Sequence, residues 1–369
     1  MRPRKILLGA VEINDVGKSN IMACLREERI GQGRFIKEFE DAMKKYMGFH
    51  HAFMTSTGEM ADCIGLNALD NDGTKDEVIV PALTFVAQAN AILHAGYWPV
   101  FCDVDVTGQM DPHEIKPLIT ERTLALMPAH LLGRVAQIEE IKAIGDTYNI
   151  PLMEDCCEAL GATYNLQPVG SWGKTAAFSF YATHTICTGE GGLVIAHDQE
   201  TASNVASIRN HGRAGEGVLE LFAYDRLGYN GKSSNLHAAI GVSVVKTLDR
   251  TVTKRRENVD YLNKELGMSW YKDRPFEKSS PHCYPVFYKN RADRNDGLIN
   301  ITLAGIECRP VMSNCARLGH LRKYARGEYP MADKISSQGL YVPCHQNLSQ
   351  NDLDYIVEIL SKEDCHEVL

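Results

Sequence analysis

Seven short apolar runs punctuate the first two-thirds of the chain: 51–54, 77–80, 99–102, 124–127, 151–154, 177–180 and 193–196. Most place apolar residues at odd and even positions alike, the pattern of strands covered on both faces. Helical periodicity fills the gaps; between Ile138 and Tyr148, for example, Ile138, Ile141 and Ile144 fall on one stripe. Alternating strands and helices predict an α/β domain built on a mostly parallel seven-stranded sheet, with ligands gathered beyond the carboxyl ends of the strands. The pattern changes near Leu248. A charged helical stretch from Lys254 to Leu266 leads to proline-containing segments, a strand-like run from His282 to Tyr288, further helix, and a closing helix from Asn351 to Leu360. This predicts a large domain over 1–247 and a smaller α+β domain over 248–369.

Composition narrows the function classes. With 369 residues, 44% of them hydrophobic, the chain can bury a large core divided between two domains. A net charge of -8 and a pI near 5.9 argue against general binding to nucleic acid or a membrane surface. The apolar run after the basic N-terminus ends at Glu12, too short for an export signal, so a cytoplasmic protein is expected. Eleven scattered cysteines without CxC or CxxC spacing fit reduced thiols and predict no metal site.

Two segments carry candidate chemistry. Glu154-Asp155 ends a predicted buried strand, where a carboxylate is costly unless it meets a cation. That cation is either an arginine, a helix N-terminus, or a protonated ligand ring. Then Phe178-Ser179-Phe180 delivers a hydroxyl, a turn presents His184, and Thr188-Gly189-Glu190-Gly191-Gly192 bends back into the next strand. Ser179 with loop N–H groups suits a phosphate, although glycines also serve ordinary tight turns. Histidine at this place is either structural or a proton carrier. His130, His211 and Arg309 are open in the same way: substrate contacts, or a hydrogen-bonded core residue, a solvated turn and a surface ion pair respectively.

The second segment resembles the Ser-Phe-…-Lys-…-Thr-Gly-Glu-Gly-Gly signature of the DegT-type sugar-nucleotide aminotransferases. Five further segments in order are similar to that family: Gly31-Gln32-Gly33 with Phe39-Glu40, Pro81 to Ala87, Pro128 to Gly133, Glu154 to Ala162, and Arg209 to Gly212 with Gly228-Tyr229-Asn230. The resemblance implies fold-type-I architecture and the cofactor pyridoxal 5'-phosphate or pyridoxamine 5'-phosphate. It implies that Asp155 meets the pyridine nitrogen, Glu158 lies near the ring hydroxyl, and Phe85 stacks on the ring. Phosphate falls to Ser179 and to backbone amides of Gly58 and Glu59. Asn230 reaches the phosphate of a neighbouring subunit, which implies a homodimer.

Two departures from the family pattern shape the functional expectation. Glu59 stands at a phosphate-binding threonine, where a carboxylate is unfavourable unless it turns away or a cation intervenes. His184 stands at the lysine, and imidazole has no primary amine with which to bond the cofactor aldehyde, yet it moves protons near neutral pH. A subset of the family shares this histidine: the 3-dehydratases of nucleotide-linked 4-keto-6-deoxy sugars. This subset implies dehydration of such a sugar with His184 as base and L-glutamate as amino donor. The flanking Tyr181-Ala182-Thr183 and Thr84-Phe85-Val86-Ala87 look more like the aminotransferase branch, which keeps open a sugar-nucleotide aminotransferase with its lysine replaced. A non-catalytic, partner-binding member is the third reading.

Overall fold

The computed structural model describes residues 5–215, 217 and 222–366. All seven apolar runs become strands: β1 His51–Thr55, β2 Glu77–Pro81, β3 Trp98–Cys102, β4 Thr123–Leu126, β5 Met153–Asp155, β6 Thr175–Ser179 and β7 Gly192–Ala196. They lie in the order β1-β7-β6-β5 and β4-β2-β3, and parallel bridges Leu126–Leu152 and Ala129–Asp155 join the two groups. Only β7 runs against its neighbours; the remaining pairings are parallel. The expected mostly parallel seven-stranded sheet is therefore present.

Burial explains why the strands read as continuously apolar. Val78 and Val80 of β2 enter one core while Ile79 enters the other, and Val194 and Leu193 of β7 divide in the same way. The sheet is thus sandwiched, and each residue step along a strand changes the face served. That alternation also separates two neighbouring acids. Asp155 shares a face with Met153, whereas Glu154 shares one with Leu152.

Helices enter and leave with local signals. Helix α1, Gly58–Asn67, follows β1 directly; Thr57 caps it, its Oγ1 accepting the Met60 N–H at 3.1 Å. Helix α2, Ile138–Tyr148, has the bounds its isoleucine stripe predicts and stops at Asn149, which takes the left-handed conformation at φ 53°.

The smaller unit contains an antiparallel sheet of Tyr284–Tyr288, Gly339–Val342, Arg309–Pro310 and Cys365–His366. Helices Leu248–Leu266, Arg291–Leu303 and Gln350–Leu360 supply residues to or beside its core. Two connections cross the boundary read from the sequence. Ile6 bridges to Ile306 and is buried in the smaller core. In the other direction, Val311, Cys315, Leu321, Tyr329 and Ile335 pack into a core of the large sheet. Among the described residues no helix is long and apolar enough to cross a membrane.

Candidate active site

The carboxyl ends of β1, β2, β4, β5 and β6 converge on a cavity of about 340 Å³. Its walls include Gly58, Glu59, Phe85, His130, Asp155, Glu158, Ser179, His184 and Arg309. Residues as distant in the chain as Thr57 and Tyr341 thus meet in one space. Asn230 and His211 do not line it. Asn230 is exposed and bridges to Asn210; His211 occupies an exposed turn at φ 66° and donates its N–H to the Tyr229 carbonyl. Within its own chain His211 therefore lies on a turn outside the cavity.

Asp155 is buried and accepts the Cys157 N–H at 3.0 Å, with no cation bonded to it among the described residues. Burial raises its pKa above the usual carboxylate range. Glu154 is the contrast. Its oxygens accept the N–H groups of Gly170, Trp172 and Gly173 at 2.8, 2.6 and 2.7 Å, so it is a fully engaged structural anion. His130 bonds through Nε2 to Glu154 at 3.1 Å and accepts the Ala136 N–H on Nδ1 at 3.0 Å. Both ring nitrogens are thus hydrogen-bonded within the chain while His130 lines the cavity.

At the opposite end, Gly58 has no space for a side chain: a Cβ there lies 2.7 Å from Ser179 Cβ and 3.0 Å from Cys157 Sγ. The bare backbone of Gly58 and Glu59 opens the first turn of α1 beside the Ser179 hydroxyl, a small anion cradle. The Glu59 carboxylate lies 3.2 Å from His94 Nδ1, which supplies the compensating partner its position requires. Phe85, at the start of the helix Val86–His94, is 57% exposed at the cavity wall, a free aromatic face. These residues fit pyridoxal phosphate: cradle for the phosphate, ring face on Phe85, unneutralised carboxylate for the ring nitrogen.

His184 lines the cavity, and its Nδ1 is buried without a partner. Burial first, then the charge of Arg255, pushes its pKa down to about 3, so the ring is neutral. Arg255 is fully buried on the helix Leu248–Leu266 and donates to the carbonyls of His184, Pro281 and His282 at 3.0, 3.1 and 3.1 Å. Glu158 accepts the Leu132 N–H at 2.7 Å, lies 3.8 Å from His282 Nε2, and is pushed up to about 7 by burial. His282, Asp62 and Arg255 are not among the residues the sequence singled out for chemistry. Asp62 carried a readable signal as the one acid in Met60–Leu69; nothing local marked the others.

The fold and cavity define a fold-type-I transferase of the pyridoxal-phosphate class. The chain belongs to the DegT/DnrJ/EryC1/StrS aminotransferase family, whose profile matches residues 12–361. It is 30% identical over 372 residues to a GDP-perosamine synthase of Caulobacter vibrioides, covering 97% of this chain and 98% of that one. It is 28% identical over 376 residues to a GDP-4-keto-6-deoxy-D-mannose 3-dehydratase of Escherichia coli O55:H7, covering 94% and 97%. A solved E. coli GDP-4-keto-6-deoxy-D-mannose-3-dehydratase with bound hydrated PLP superposes with a TM-score of 0.87 at 27% identity, covering 98% and 100%. The chain is accordingly an enzyme of the sugar aminotransferase and dehydratase group.

Proposed function

We propose that this enzyme removes water from C3 of a nucleotide-linked 4-keto-6-deoxy sugar, using pyridoxamine phosphate, with L-glutamate restoring the amine form of the cofactor. One observation carries the reading. An imidazole stands where the family has its lysine, and no lysine is among the described residues lining the cavity. Without a primary amine in the wall, nothing competes with substrate for the cofactor carbon before the hydroxyl departs.

When bound, pyridoxamine phosphate supplies an amine for the sugar ketone and a ring that accepts electron density. Asp155 keeps the ring nitrogen protonated, which strengthens that electron demand. Gly58, Glu59 and Ser179 would hold the cofactor's phosphate, with His184 in the same cavity wall. The neutral His184 ring is in the form that takes up a proton. Arg255 holds the His184 carbonyl and so the loop that aims it. Phe85 covers one ring face and limits water. Asn230, exposed and outside its own cavity, is assigned to the cradle of a second copy in a homodimer. The apolar Val16, Met22 and Leu25 of the helix Asp15–Arg26 are each at least half exposed and would be covered by such pairing.

The similarity to a GDP-perosamine synthase favours transamination as the second reading. Incubation with pyridoxamine phosphate, glutamate and a panel of 4-keto-6-deoxy nucleotide sugars, followed by mass spectrometry, decides between them. Loss of water at C3 with ammonia release is the expected result. An amino sugar overturns the dehydratase reading. Absence of any cofactor spectrum overturns both and leaves a partner-binding role.

A further inference from the structure

Asp62 sits on the buried side of α1 and lines the cavity beside Asp155. It is 2% exposed, and its Oδ1 is buried without a hydrogen-bond partner. Ligand atoms of Asp62, Asp155 and the Cys157 thiol all lie within 4.8 Å of one another. No positive charge faces Asp62 among the described residues. Glu59, one turn earlier on the same helix, is anionic, and Asp155 and Cys157 at the end of β5 bring no cation. The two nearby histidines are already engaged: His94 with Glu59 and His130 with Glu154. Two buried carboxyl groups this close cannot both carry charge unless a cation joins them. A buried acid without a partner costs stability in the empty protein, so its location beside the ring-binding carboxylate calls for a functional explanation.

We propose that Asp62 is a positioning residue that shares one proton with Asp155 and gives it up when a cationic pyridine ring seats on Asp155. The inference rests on the cofactor assignment made above and deepens it. In the empty site the pair holds one proton and one negative charge. Arrival of the protonated ring nitrogen adds a positive charge, the shared proton leaves to solvent, and the pair then opposes the ring with two negative charges. The second charge, acting through Asp155, strengthens the grip on the ring N–H, and hence the electron demand of the ring. Burial and the proximity of Asp155 and Glu59 raise the Asp62 pKa well above the ordinary value, as this sharing requires.

The test has two arms. Calorimetric titration with pyridoxamine phosphate near pH 7, repeated in buffers of different ionisation enthalpy, counts protons released. Wild type is expected to release about one proton per chain more than Asp62→Asn. Equal release overturns the inference while leaving the cofactor assignment standing; failure of wild type to bind overturns the cofactor assignment instead. The second arm needs no cofactor. Carboxyl-labelled aspartate followed by carbon NMR is expected to show linked titration of Asp62 and Asp155 in wild type, and a single, lower-pH step for Asp155 in Asp62→Asn. Asp155→Asn provides the reciprocal variant should the first fail to fold. Independent titrations in wild type overturn the pair whatever the cofactor does.

Discussion

The imidazole rings of His184 and His282 lie 5.0 Å apart between centroids at a tilt of 44°, and each leaves its Nδ1 buried without a hydrogen-bond partner. One histidine comes from the loop after β6, the other from the segment entering the smaller sheet. Arg255 fastens both backbones. Burial, with the charge of Arg255 beside them, pushes both pKa values below the usual histidine value and keeps both rings neutral.

Replacement of His184 is expected to separate chemistry from binding. His184→Asn is expected to lower the rate of water loss by about 10²- to 10⁴-fold, the usual worth of a general base, while pyridoxamine phosphate still binds. His184→Lys is expected to bond pyridoxal phosphate covalently, seen as a mass increase stable to denaturation after borohydride reduction. A wild-type rate in His184→Asn refutes the assignment.

Glu158 gives a pH signature. Its folded pKa, near 7, stands above its ordinary value of 4.5 because burial penalises the anion. The folded state therefore binds more protons than the unfolded one between these values. Its contribution is fully present below pH 4.5 and disappears as pH rises through 7, by about 3 kcal/mol at most. Glu158→Gln is expected to flatten the fall in melting temperature over this window, measured by calorimetry.

His184 acts in the opposite sense in acid. Its folded pKa of about 3 lies below the ordinary 6.5, so the unfolded chain takes up the proton first and stability falls as pH drops through this range. His184→Asn removes that uptake. The variant is expected to unfold at lower pH than wild type in an acid titration followed by circular dichroism.

Arg255 is expected to be intolerant of change. Arg255→Lys loses the forked geometry that serves the carbonyls of His184, Pro281 and His282. Hydrogen bonds from a charged donor are worth about 1.5–3 kcal/mol each, so urea unfolding should report a loss of about 2–4 kcal/mol. Little loss would mean that the loop is held by other contacts.

Phe85→Ala tests the ring face. Aromatic stacking contributes about 0.5–1.5 kcal/mol, which corresponds to roughly 2- to 10-fold weaker binding of pyridoxamine phosphate by fluorescence titration. The unfolding midpoint should hardly move, because Phe85 is 57% exposed.

The large sheet was legible because two-sided burial writes itself into consecutive residues: Val78, Ile79 and Val80 serve alternate cores and must all be apolar. The isoleucine spacing of 138–148 and the histidine shortly before the Thr-Gly-Glu-Gly-Gly segment were equally local, and so was the acid of Asp155 at a strand end. Local sequence could not say that β1 lies beside β7, nor that residues 311–335 return to the first core while Ile6 joins the second. Those adjacencies arise from long-range packing, in which burial of complementary faces outweighs chain proximity. For the same reason His282 and Arg255 acquired meaning only when folding brought His282 to the cavity wall and Arg255 to the carbonyls of His184 and His282. A side chain's charge state depends on the neighbours and water it retains, and tertiary structure alone supplies both.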